Sequence, residues 1–212
     1  MTFEQQKTIE THKVQPTVVN IIDSHFHLDM LSRKFKTNSL PIYSWDWNDR
    51  QYQIKHLVAN YCFPRNWPGS SVRSTIREDD RIWLTFGIHP RLVFVEKRQV
   101  LDSWLETLKH LVMATKVVAV GECGLDTSSN QTERDIRRQL EYFKKQIILA
   151  SDKNLPLVIH CRGDDRTDEL CLNTLAQLVS PTHRIHRHCF NGSVDEVAEF
   201  TTRNAMELYG IH

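Results

Sequence analysis

Residues 117–126 read VVAVGECGLD: a β-branched apolar run that carries a carboxylic acid, Glu122, at its end. The same design recurs along the chain. Runs of this kind are VVNIID (18–23), HLVANYCF (56–63), IWLTFGI (82–88), PLVIHC (156–161), RIHRHCF (184–190) and AMELYGI (205–211). Strands that read as near-continuous apolar runs suit a sheet covered on both faces. Longer segments of helical period lie between them. In EKRQVLDSWLETLKHLVMA (96–114), Val100, Leu101, Trp104, Leu105, Leu108, Leu111 and Val112 share one helical face, and residues 131–153 repeat the pattern with Ile136, Leu140, Phe143, Ile147 and Leu149. Weaker helices are predicted over 168–179 and 193–203, the latter with capping-box spacing at Ser193 and Glu196. Residues 29–54 show no clear period.

Alternating strands and helices mean parallel βα units, in an open sheet or a closed barrel. The polar residues choose between them. His25 and His27, His89, Glu122, His160 and His188 all fall at the C-terminal ends of strand runs. A barrel gathers its site from many strand ends, whereas an open sheet concentrates it at one switch point. The expected fold is therefore an α/β, TIM-like barrel. Seven strand runs are counted, and a (β/α)8 barrel typically takes about 250 residues. The 212 residues thus read as a barrel lacking its eighth strand, with 1–17 as an N-terminal tail and 18–212 as one barrel domain.

Composition narrows the function. Hydrophobic residues make up 40% and charged residues 25%, ordinary for a globular protein. With 27 Lys and Arg against 26 Asp and Glu, the net charge is +1, so a polyanion must be gripped locally rather than by a global basic field. Cys62, Cys123, Cys161, Cys171 and Cys189 form no CxxC pair and read as free thiols in a reducing compartment. No signal-like segment or membrane-length apolar stretch is found, so no membrane partner is expected. The expected location is cytoplasmic or nuclear. Nothing calls for an obligate protein partner.

Strand alternation puts His25 and His27 on one face. Alone, this HxH is as readily a polar strand end as a metal site. Together, the histidines and Glu122 make a donor set for divalent ions of borderline softness, and Glu122 has two oxygens with which to bridge two of them. Two such ions share the charge of a phosphodiester and activate a water. His186 and His188 alternate onto the same face, so periodicity does not separate ligand from neighbour.

Five segments, DSHFHLD (23–29), FGIHP (86–90), VGECGLD (120–126), LPLVIHCR (155–162) and HRHCFNG (186–192), resemble the TatD family of metal-dependent deoxyribonucleases, in a form similar to its animal branch. The resemblance runs from about Ile21 to the end of the chain. It implies that His25 and His27 are the first pair of metal ligands, that Glu122 is the bridging carboxylate and catalytic centre, and that His160 and His188 hold the second ion. It also implies that His89 and Arg162 meet substrate phosphate, with two divalent ions (Mg²⁺ by family, Mn²⁺ or Zn²⁺ by ligand softness) and with DNA, or RNA, as substrate, cut in 3′–5′ exonuclease fashion. Two departures stand out. The aspartate of the family's eighth-strand motif has no counterpart, and Thr127 replaces an aromatic after GLD. A catalytically impaired metal- or nucleic-acid-binding remnant is the competing expectation. A hydrolase of C–N bonds is a third, opposed by the GLD and HCR signatures. His89 before Pro90 also reads as a plain strand end. Trp45, Trp47 and Trp67 read as packing or as base-stacking residues. Cys123, Cys161 and Cys189, each one residue from a ligand, are expected to turn away as inert thiols.

Overall fold

In the computed structural model, which describes residues 18–35, 52–129, 131–188 and 206–210, six strands form one parallel sheet in chain order. They are β1 (Val19–Phe26), β2 (Tyr52–Tyr61), β3 (Ile82–Phe86), β4 (Val117–Asp126), β5 (Leu157–Arg162) and β6 (Ile185–Arg187). The helices α1 (Leu28–Lys34), α2 (Ser70–Glu78), α3 (Pro90–Val95), α4 (Arg98–Leu111), α5 (Glu133–Asp152) and α6 (Asp165–Leu178) fill the connections. Each strand pairs with the next in parallel, as repeated βα units require.

The sheet is curled. β1 and β4 are separated by two strands, yet His25 from β1 reaches Glu122 of β4. Beyond β6, His188 stacks on His25 with ring centroids 4.2 Å apart. The first and last described strands therefore meet at their C-terminal ends, as in a barrel wall.

Two apolar layers follow from the alternation of side chains. Toward the helices, Leu57, Leu84, Phe86, Val120, Cys123, Leu125 and Ile159 pack with Leu101, Leu108, Tyr142, Phe143 and Ile147. Inside the curl, Ile22, Val58, Ala119 and Val158 from four strands are capped by Tyr209. Burial of these apolar surfaces is the main stabilising term, about 25 cal/mol per Å² removed from water.

The run AMELYGI departs from its predicted strand. Residues 206–209 form one helical turn. Met, Glu and Leu are good helix formers, and i,i+3 spacing lets Met206 and Tyr209 both face the inner cluster. Strand alternation would turn Met206 and Tyr209 to opposite faces of their spacing. The predicted helix over 96–114 forms as α4, Arg98–Leu111, and a short helix the period did not show, α3, precedes it over Pro90–Val95. α1, α2 and the early start of β2 were not legible in the period of the sequence. The predicted helix and capping box at 193–203, together with Trp45, Trp47 and Cys189, lie outside the described residues. A capping box does occur at α5, where the Thr132 hydroxyl accepts from Asp135 N–H and the Asp135 carboxylate accepts from Thr132 N–H.

β4 approaches β5 closely because it is broken by glycines on both sides of Glu122. Gly121 and Gly124 have φ of +141° and +142°, and a Cβ at either would strike backbone of β5, at Val158 or His160. Gly124→Ala is expected to lower stability by about 2–4 kcal/mol by prising β4 from β5. An unfolding free energy from urea titration within about 0.5 kcal/mol of wild type would contradict this reading of the strand.

Candidate metal centre

The strand ends bring one carboxylate and a ring of imidazoles to the same rim. Glu122 is 2% exposed, and its two oxygens look in different directions. Oε2 lies 3.4 Å from His25 Nε2 and 3.8 Å from His27 Nε2. Oε1 lies 2.6 Å from His188 Nε2, 2.8 Å from His160 Nδ1 and 3.9 Å from His89 Nε2. The Cys62 thiol also donates to Oε2 at 3.5 Å. Burial alone would raise the Glu122 pKa, but hydrogen bonds from His160, His188 and His25 outweigh it and hold the carboxyl ionised, well below the usual carboxylate range.

Hydrogen bonds on the far side of the His27 and His89 rings fix which nitrogen faces inward. His27 Nδ1 lies 3.1 Å from the Asn60 carbonyl, so the neutral ring donates there and turns a bare Nε2 toward Glu122. A lone pair facing a carboxylate is repulsive unless a cation lies between them. His160 has a carboxylate at each nitrogen, Glu122 Oε1 at 2.8 Å and Asp126 Oδ2 at 3.0 Å, and a neutral ring has one N–H for the two. His25 Nδ1 is buried and has no hydrogen-bond partner among the described residues. These features fit a divalent metal, held by rings that outer carbonyls and carboxylates orient. His25, His27 and Glu122 form one possible ligand group, and His89, Glu122 and His160 another.

His89 is different. Its Nδ1 accepts from Arg91 N–H at 3.1 Å, which leaves the ring proton on Nε2. The ring therefore meets the site as a donor, suited to an oxyanion more than to a cation. Burial pushes its pKa down to about 4, against the opposing pull of Glu122. Arg162 is brought to the rim but not into the cluster. It ends β5 in register with Asp126, is exposed, and its guanidinium has no partner among the described residues.

Asp126 is the residue that sequence reading missed. It is fully buried, and its Oδ2 lies 3.0 Å from His160 Nε2 and accepts from Arg91 Nε at 2.7 Å. Burial opposes its ionisation, but Ser128, Arg91 and His160 bring its pKa to about 2. Its place as the last residue of GECGLD was the only signal. His186 does not reach Glu122. Its Nδ1 pairs with the Tyr209 hydroxyl at 2.7 Å, which separates it from His188. Cys123 turns into the helix-side core, and burial pushes the Cys62 and Cys123 thiols up. Trp67 donates Nε1–H to the Tyr61 carbonyl at 2.8 Å and packs on Phe86, a structural role.

A buried carboxylate among imidazoles at the C-terminal rim of a curled parallel sheet places the chain with the β/α-barrel proteins that carry a metal-binding rim. The model of the TatD related DNase family matches residues 22–208, and the chain belongs to that family. It is 35% identical over 177 residues to the 3'-5' RNA nuclease TATDN2 of Homo sapiens, covering 81% of this chain and 22% of that protein. It is 33% identical to the uncharacterized metal-dependent hydrolase YabD of Bacillus subtilis (64% of this chain, 49% of that one). It is 35% identical to the 3'-5' ssDNA/RNA exonuclease TatD of a Pantoea species (54% and 41%). The chain thus spans less than half the length of each of these relatives. Among solved structures, the fold resembles YJJV, a TatD homologue from Escherichia coli K12, with a TM-score of 0.57 at 23% identity, covering 89% of this chain and 65% of that one. A hydrolase TatD family protein from Entamoeba histolytica gives 0.54 at 21% identity (87% and 62%).

The imidazoles give the metal-free chain a defined pH response. Burial pushes His186 down to about 4, helped by His25 and His188, as it does His89. The unfolded chain takes up protons near pH 6.5, about two units before these folded rings do, so stability falls as the pH drops from about 7 toward about 4. In EDTA, urea midpoints are expected to fall over this window, and His186→Gln to flatten part of the slope. A midpoint that is level or rises on acidification would contradict it.

Proposed function

We propose that the chain is a metal-dependent phosphodiester hydrolase that trims single-stranded nucleic acid, DNA first, from the 3′ end. The observation that carries this is the division of Glu122, one oxygen toward His25 and His27 and the other toward His160 and His188. That division suits a carboxylate shared by two ions, the first held with His25 and His27, the second with His160 and His188. Divalent cations bound there supply Lewis acidity toward a phosphoryl oxygen and lower the pKa of water.

The chain's own residues do the rest. His89, with its Nε2–H turned to the site, donates to a phosphate oxygen. Arg162, exposed at the rim, clamps the phosphate through its planar fork. Asp126 holds the His160 ring, and Arg91 holds Asp126. The 3′–5′ direction is supported by the names of the human and Pantoea relatives, and the single-strand preference by that of the Pantoea relative. Mg²⁺ is the expected ion by family, although the nitrogen-rich donor set is also suited to Mn²⁺ or Zn²⁺.

The test is hydrolysis of 5′-labelled single-stranded DNA and RNA with Mg²⁺, Mn²⁺ or Zn²⁺, against EDTA. Trimming that needs metal is expected, with Glu122→Gln at background and Asp126→Asn lower by about 10- to 100-fold. Full activity in EDTA, or in Glu122→Gln, would contradict the proposal.

A further inference from the structure

Beside the imidazole cluster lies a second concavity, of about 450 Å³, lined by Met30, Arg33, Phe63, Arg65, Asn66 and Leu92. We infer that it is a nucleobase subsite in which Phe63 stacks the base next to the scissile phosphate. This rests on the hydrolase reading above.

Its position is the first argument. Phe63 follows β2, and its ring stacks on His89 with centroids 5.3 Å apart and planes 12° apart. The same ring lies 6.4 Å from His27. One face is thus taken by the residue assigned to phosphate, and the same side chain lines the concavity. A strand whose phosphate sits at His89 has its neighbouring base within reach of that ring. Chemistry is the second argument. Met30, Phe63 and Leu92 give apolar walls, with Met30 43% exposed, while Arg33 and Arg65 stand at the margin. Arg65 is engaged by Glu96 at 2.7 Å, whereas Arg33 is largely exposed and, among the described residues, its charge meets Asp29 at 3.5 Å. Apolar walls with cations at the lip match a flat base attached to an anionic backbone. The volume falls in the range of small-molecule sites, about 300–1,000 Å³.

The third argument is rigidity. The turn Pro64–Asn66 that carries Phe63 is fixed at several points. Asn66 Nδ2 donates to Asp29 Oδ2 at 2.6 Å, Trp67 is tied to the Tyr61 carbonyl, and His89 N–H donates to the Cys62 carbonyl at 2.9 Å. A preorganised aromatic platform stacks any base, because every base has a π face.

The experiment measures binding as well as cleavage. Single-stranded DNA carrying 2-aminopurine at the 3′-terminal or penultimate position is titrated with the full chain in Ca²⁺, alongside the same strand with an abasic residue there. Wild type and Phe63→Trp are expected to quench the fluorophore. Phe63→Leu is expected to lose the quenching and to bind the intact strand about tenfold more weakly, with little change for the abasic strand. Phe63→Leu binding both strands as wild type does, or weakening both equally, would overturn the subsite. Phe63-dependent quenching without metal-dependent cleavage would keep the subsite and remove the hydrolase reading. Cleavage with no Phe63 dependence would do the reverse.

Discussion

The structure depends on keeping the charge of one carboxylate, Glu122, buried in the middle of the curled sheet. An ionised carboxylate at 2% exposure is untenable without close partners. Hydrogen bonds from His25 at the end of β1, His160 in β5 and His188 just past β6 provide them, and His89, the N-cap of α3, turns its ring toward the same carboxylate. Each of those strands must end at the same height, and the sheet must bend until the first described strand faces the last. Site and curvature are one constraint seen twice.

The outer hydrogen bonds show how that constraint is passed on. Asn60 directs His27 through its carbonyl and is itself fully buried, its side-chain amide held by Val58 and Thr85. Asp126 directs His160 and is in turn gripped by Arg91 and Ser128. The Arg91 backbone N–H then sets the tautomer of His89. His27, His160 and His89 are thus each aimed by a group that has its own anchor, which is the arrangement a metal site needs for precision. It also separates roles among chemically identical histidines: His27 offers a lone pair, His89 offers a proton.

Much of this was legible in the sequence. The apolar runs ending in His or Glu gave the parallel strands and their common rim, because a strand covered on both faces leaves polar residues only at its end. The strong helical period of 133–152 gave α5. Where the signal failed, a local pattern was overruled by packing. AMELYGI reads as one more apolar run, but its i,i+3 apolar pair caps the inner cluster as a helical turn. His186 has the same alternation as His188, and only the Tyr209 hydroxyl diverts it. Asp126 carries no periodic signal, since its meaning lies in contacts to Arg91 and His160, 35 and 34 residues away.

The central claim is that Glu122 is shared between two metal positions. Crystals of the chain soaked in Mn²⁺ and measured at an anomalous wavelength test it most directly. The account predicts two peaks, one between Glu122 and His25–His27 and one between Glu122 and His160–His188, both weakened in Glu122→Gln. Peaks remote from Glu122, or none at saturating metal, would contradict it.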